Sequence, residues 1–162
     1  MNSFQWGSCF ETGIDEVDEQ HQFLVDIINR YGVLVAENNI STQDLQVILF
    51  ELSQYSEFHF CEEEALMRKT GIHPLHLEKH IKVHRAFITE IISMQAFVSE
   101  EDRQGSELLL NFLIHWLAYH ILGIDKNMSR QLAKIKAGVD PQIAYEEEEK
   151  SQDSSTEPLL AA

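Results

Sequence analysis

LQVILFELSQYSEFHFCEEEAL, residues 45–66, repeats Leu45, Ile48, Leu49, Leu52, Tyr55, His59, Glu63 and Leu66 with helical spacing. Such a stripe is one face of an α-helix, the face that a bundle turns inward. Hydrocarbon is expected along it, yet His59 and Glu63 occupy it one turn apart. The segment reads as a long amphipathic helix that carries an imidazole and a carboxylate into a core.

The same pattern recurs on both sides. Upstream, Leu24, Ile28, Tyr31 and Val35 form a stripe that reaches back to His21, with Asp18 as the expected cap of that helix. Residues 37–41 break the pattern, and Ser41 or Thr42 can open the second helix. Downstream, Gly71 and Pro74 mark a turn, and a third stripe presents Leu77, His80, His84, Phe87, Ile91 and Val98. An acidic turn from Glu100 to Gly105 precedes the fourth: Leu109, Phe112, Leu113, Trp116, His120, Ile124, Met128, Leu132 and Ile135. Four such segments of roughly 20–30 residues with short turns predict an all-α, up-and-down antiparallel four-helix bundle. Before it, Phe4, Trp6, Phe10 and Ile14 lack a sustained period and predict an arm that packs its aromatics on the bundle.

This domain is expected to span residues 1–137. From Gly138, Val139-Asp140-Pro141 stops the helix, Glu146 to Glu149 is a like-charge run and Ser151 to Glu157 is polar and unpatterned. Residues 138–162 are thus expected to form an acidic linker or tail, with apolar Leu159, Leu160, Ala161 and Ala162 leading toward a further element.

Composition agrees with a single helical domain. The 162 residues include only seven Gly and three Pro, little material for the turns of a many-stranded sheet. A formal net charge of -15 and twelve scattered Lys and Arg disfavour nucleic acid and anionic membrane as partners. No basic segment followed by an apolar stretch opens the chain, and no apolar run reaches the ~20 residues that span a bilayer, so a cytoplasmic location is expected. Cys9 and Cys61 form no Cys-x-x-Cys motif and are expected to be reduced and structural.

His21, His59, Glu63, His80, His84 and His120 therefore share the inward faces, and Asp125 follows His120 by five residues. A lone inward histidine is ordinarily a hydrogen-bonded core residue, but burying six polar groups without partners costs on the order of a few kcal/mol each. A common partner is needed. The pairs 59/63 and 80/84 each put two side chains on one helical face, able to meet one metal or adjacent metals. Five imidazoles and two carboxylates exceed the four ligands of structural zinc and fit two metals sharing bridging carboxylates; nitrogen-rich ligation favours iron, cobalt or zinc over magnesium or calcium. Asp125 is awkward, because five residues turn an ideal helix by about 500 degrees and point it away from His120 unless the helix deforms near Gly123. Periodicity alone leaves it open between ligand and surface residue, and it leaves a rival register, 76/80 in place of 80/84, open as well. His73 in the turn is expected to be solvated, and His115 to lie on the flank.

In order and spacing, Asp18-Glu19-Gln20-His21, His59-Phe60-x-x-Glu63-Glu64-x-x-Met67, His80-x-x-x-His84-x-x-Phe87 and Trp116-x-x-x-His120-Ile121-x-x-x-Asp125 resemble the ligand motifs of the hemerythrin family, in particular its bacterial branch. Trp6 and Gly13-Ile14-Asp15 resemble its N-terminal arm, and the resemblance covers about residues 5–135. It implies two non-haem irons with a bridging oxo or hydroxo group. His80, His84 and His120 would bind one, His21 and His59 the other, and Glu63 and Asp125 would bridge them. Dioxygen would bind at the open position of the iron with two histidines. Leu24, Phe60, Trp116, Leu117 and Ile121 would line the oxygen pocket, although each is equally a plain core residue. No nucleotide fingerprint, nucleophile triad or paired Glu-x-x-His motif competes, so the domain itself is not expected to be an enzyme.

The stretch from Ile135 to Glu146 is similar to the extension of bacterial hemerythrins fused to signalling modules, such as enzymes that make or break cyclic dinucleotides, a diguanylate cyclase among them. A sensory domain with a C-terminal signalling partner is the leading expectation. A freestanding oxygen carrier, store or delivery protein and slow peroxide or nitric oxide turnover are the alternatives. The sequence sets no oligomeric state.

Overall fold

The computed structural model describes residues 3–38, 40–96 and 102–155. Asn39, Val98, Glu100, Glu101, Glu157 and the apolar end from Leu159 lie outside the described residues. The first helix, α1 (Asp15–Glu37), begins before the expected cap: Asp15, Glu16 and Asp18 all sit in its first turn, where negative charge meets the positive end of the helix dipole. Asp18 instead accepts the N–H groups of Thr12 at 2.8 Å and Gly13 at 3.2 Å, and so ties the arm to the helix. The arm is held again where Asn29 exchanges hydrogen bonds with the backbone of Phe4, which is buried. Trp6 and Phe10 pack on the core beside it.

Ser41 and Asp44 cap each other reciprocally to start α2 (Thr42–Thr70), and Gly71 ends it at φ 78°, a left-handed conformation that favours glycine. Pro74 then occupies the first turn of α3 (Pro74–Gln95), where its missing N–H costs nothing. Next come α4 (Arg103–His120), a single π turn over Ile121–Asp125, and α5 (Lys126–Lys136), with helical backbone angles at both junctions. Sequence periodicity treats 103–136 as one regular helix; the structure makes it one helix with a bulge.

The bundle is all-α as expected, four helices long with the arm across it. Apolar stripes from α1 to α4 merge into one cluster that includes Leu24, Ile28, Tyr31, Leu49, Leu52, Phe60, Ile91, Leu109 and Leu113. Met67, Ile72, Met128 and Leu132 form a smaller one at the other end, and the polar residues of the stripes lie between the two. By averaged hydropathy Arg103–Lys136 is long and apolar enough to cross a membrane, contrary to the count of apolar runs. It is no convincing span, because its inward face buries His120 and Asp125 inside the bundle. Cys9 and Cys61 are free, in keeping with the reduced state expected, but both are exposed, so burial gives neither a structural role.

Part of the expected linker is helical. Pro141, read as a helix stop, also opens α6 (Pro141–Ser155), with Asp140 accepting the N–H of Gln142 at 2.9 Å. A like-charge run alone would not hold a helix there. It is held because Glu148 meets Arg130 at 2.6 Å and Lys134 at 3.1 Å on α5, Glu147 meets Lys134 at 2.8 Å, and Ala144 is fully buried. His73, expected to be solvated, stacks on Tyr145 at 4.6 Å and contacts Gln142 at 2.6 Å. These partners are distant in sequence, which is why composition reads the segment as loose.

Burial by itself would raise the Glu148 carboxyl, but hydrogen bonds from Arg130 and Lys134 outweigh it and hold the group below its ordinary value. A depressed carboxyl adds stability above the ordinary carboxylate range and loses it as pH falls through the depressed value. Glu148→Gln is expected to weaken the docking of α6 by about 1 kcal/mol. Amide exchange around Ala144, corrected for intrinsic rate, should quicken in this variant at neutral pH and in the parent protein on acidification; equal protection at both pH values would contradict the docking role.

Candidate metal centre

His21 comes from α1, His59 and Glu63 from α2, His80 and His84 from α3, His120 from the end of α4 and Asp125 from the end of the π turn. All seven are buried, His120 at 6% being the most exposed. The π turn resolves the difficulty of the five-residue interval. In a turn closed by i→i+5 hydrogen bonds, residues five apart stack as residues four apart do in an α-helix. Asp125 consequently lies 3.0 Å from His120, measured from Oδ1 to Nε2.

The two carboxylates divide their oxygens. Glu63 presents Oε1 to His21 at 3.7 Å and to His59 at 3.6 Å, and Oε2 to His80 at 3.5 Å and His84 at 3.3 Å. Asp125 presents Oδ2 to His21 at 3.1 Å, and Oδ1 to both His80 and His120 at 3.0 Å. The residues fall into two groups able to hold a metal ion, Glu63, His80, His84, His120 and Asp125 in one and His21, His59, Glu63 and Asp125 in the other. Both carboxylates belong to both groups. Each group is capable of chelating one ion of a di-iron centre.

The donor set fits such a centre on a second count. The Nε2 atoms of all five histidines, both Glu63 oxygens and both Asp125 oxygens are buried with no hydrogen-bond partner. Orphaned atoms of this kind cost on the order of a few kcal/mol each unless something else satisfies them. They converge on one place, and a pair of cations is the partner that suits every one of them.

Protons go some way toward that role in the metal-free chain. Burial pushes His59 down to about 4, although Glu63 opposes the effect. Burial also works against a charged His80, but Asp125 and Glu63 more than offset it and raise that imidazole to about 9. Burial would raise Asp125, yet His120, His21 and His80 drive it well below the carboxylate range. Negative charge is thus fixed at the centre, and the imidazoles compete to balance it.

Three of the imidazoles are oriented from outside by partners that periodicity did not identify. His59 Nδ1 lies 2.7 Å from Gln20, His84 Nδ1 3.1 Å from Glu64 and His80 Nδ1 3.2 Å from Nε2 of His76. His76 therefore stands behind His80 and outside both groups, whereas His80 and His84 share one of them. Sequence offered a faint signal for it, an inward histidine one turn too many.

Of the expected pocket residues, Leu24, Phe60, Leu117 and Ile121 are buried in the main cluster. Phe60 stacks on His84 at 3.8 Å. Trp116 is only partly buried; it stacks on His120 at 4.4 Å and meets Phe87 at 3.9 Å with the rings tilted, and it lines an open groove of about 600 Å³ with Val83, Phe112, Tyr119 and Ile124. His115 is on the flank as expected, exposed and bonded to the Asn111 carbonyl at 2.7 Å.

Comparison with known families matches residues 12–132 to the Hemerythrin HHE cation binding domain. Bacteriohemerythrin of Clostridium acetobutylicum is 34% identical over 127 residues, which span 76% of this chain and 96% of that protein. Bacteriohemerythrin of Stenotrophomonas maltophilia is 30% identical over 128 residues, 78% of this chain and 80% of that protein. Myohemerythrin of Theromyzon tessulatum is 27% identical over 122 residues, 75% of this chain and 88% of that protein.

Because a metal satisfies atoms that are orphaned without it, ferrous iron added anaerobically at about 1,000 times its dissociation constant should stabilise the metal-free protein by about 4 kcal/mol. That corresponds to a rise in Tm of roughly 8–16 °C for a domain of this size. Glu63→Gln should remove more than half of the rise. Calorimetry showing the same Tm with and without metal would contradict the assignment.

Proposed function

This chain belongs to the hemerythrin family, and we propose that it binds dioxygen reversibly at a pair of non-haem irons and serves as an oxygen- or redox-sensing domain. In this reading His80, His84 and His120 would hold one iron, His21 and His59 would hold the other, and Glu63 and Asp125 would be shared between them. The carrying observation is the division of the carboxylate oxygens, one of each pair toward each histidine group. A ferrous pair supplies the electrons for reversible dioxygen binding, and hemerythrin domains are typically non-catalytic.

The residues of the chain do the rest. His21 and His59 are fewer ligands than the opposite three, so their side is where a diatomic molecule enters. Leu24, Leu117 and Ile121 keep water from that space, and an apolar wall slows proton delivery to what is bound there. Trp116, stacked on His120, covers one face of that imidazole on the groove side. Gln20 and Glu64 accept the Nδ1–H of His59 and His84 and so aim Nε2 inward.

Sensing is favoured over carriage by where the fourth helix goes. The helix that presents His120 and Asp125 continues into α5, and Arg130 and Lys134 of α5 grip α6. A change at the centre that shifts this helix would reach α6 directly. The reading places the protein in the cytoplasm with a signalling module as its C-terminal partner.

Anaerobic reconstitution with ferrous iron should give two irons per chain, and air should bring up a visible charge-transfer band that deoxygenation reverses. Well under two irons per chain after full loading would overturn the proposal. Trp116→Ala or Leu24→Ser should shorten the lifetime of the oxygenated form severalfold, read as decay of that band in stopped flow; an unchanged decay would remove the shielding role.

A further inference from the structure

His76 is 2% exposed, and both of its ring nitrogens are engaged. Nε2 lies 3.2 Å from Nδ1 of His80, and Nδ1 lies 3.0 Å from Nε2 of Gln131 on α5. The Gln131 amide also meets Oδ1 of Asn127 at 2.6 Å, while its own Oε1 is buried without a partner. A polar string thus runs from Asp125 through His80, His76 and Gln131 to Asn127, crossing from α3 to α5. Asn127 and His76 both border a cavity of about 190 Å³ also lined by Lys79, Ile124 and Gln152 of α6.

With every imidazole uncharged, donor and acceptor counting allows the string two directions. An uncharged imidazole carries one N–H, and an amide offers hydrogen only from nitrogen. If Gln131 donates to His76 Nδ1, His76 carries its proton on Nε2 and donates to His80 Nδ1. His80 then holds its proton on Nε2, aimed at Asp125 at 3.0 Å, which blocks the lone pair that a metal needs. In the opposite direction His80 donates from Nδ1 to His76, His76 donates from Nδ1, and only the carbonyl of Gln131 can accept. The Gln131 amide must then turn over, and Asn127 must turn with it to offer Nδ2–H to the same oxygen.

We propose that His76, Gln131 and Asn127 are positioning residues for the metal centre: with the carbonyl of Gln131 toward His76 the string fixes His80 as an Nε2 ligand. The proposal rests on the di-iron reading above. It gives the buried polar face of α5 a task that core packing does not require, and it ties the state of His80 to an amide beside α6.

Three variants and one spectrum test it. Gln131→Glu leaves only acceptor oxygens and locks the metal-binding direction; Gln131→Met has the same length and no polar atom; His76→Phe removes the string while keeping a ring. Ferrous iron competed against a chromophoric chelator should bind to one of the two positions about 10–100-fold more weakly in Gln131→Met and His76→Phe, and at least as tightly as in the parent in Gln131→Glu. Histidine 15N NMR of the zinc-loaded parent should show His76 protonated on Nδ1. Equal affinity in the parent and all variants, or His76 protonated on Nε2 in the zinc form, overturns the string while leaving the di-iron reading in place. A parent protein that fails to hold two metals overturns both. If His76→Phe does not fold, the contrast between the two Gln131 variants decides the question.

Discussion

Two carboxylates and five imidazoles meeting in the middle of a four-helix bundle are the constraint to which the rest of this structure answers. Hydrocarbon would be the stable filling for that volume, and nine nitrogen and oxygen atoms able to ligate a metal sit there without hydrogen bonds. The apolar clusters at the two ends flank a polar layer that they cannot stabilise on their own. Imidazole–carboxylate pairs offset part of that cost, and cations would offset the rest. Stability and function are therefore coupled through the same atoms, and the outer partners Gln20, Glu64 and His76 serve both by holding the imidazoles in place.

The π turn follows from the same constraint. Asp125 has to bring one oxygen to each histidine group, and a regular α-helix would aim a residue five positions after His120 elsewhere. One turn of wider hydrogen bonding over Ile121–Asp125 restores the alignment and lets helical backbone continue into α5. Local irregularity is tolerated because it falls where ligands would compensate for it.

These features differ in how far sequence could disclose them. The four stripes and the six residues His21, His59, Glu63, His80, His84 and His120 were legible because helical periodicity is a local property, and polar residues on an apolar stripe stand out. Asp125 was not decided by spacing, since periodicity presupposes the regular helix that the π turn departs from. Helix α6 was missed for a different reason: Glu146 to Glu149 repel one another, and only Arg130 and Lys134 on another helix make the run favourable. His76 fell between the two cases. Its inward position was visible, but whether it bound metal or stood behind a ligand depended on Gln131 across the bundle.

The placement of polar residues on α5 has a mechanical consequence. Its outer side grips α6 through Arg130 and Lys134, and its inner side ends the string from His80 at Gln131 and Asn127. One short helix thus touches both the centre and the segment that leaves it, without any intervening loop. A hydrophobic inner face would pack as well but would respond only to bulk displacement. Amides can accept or donate according to which way they face, so under the positioning proposal the inner face of α5 would respond to the ligation of His80 through hydrogen bonds and not through packing alone.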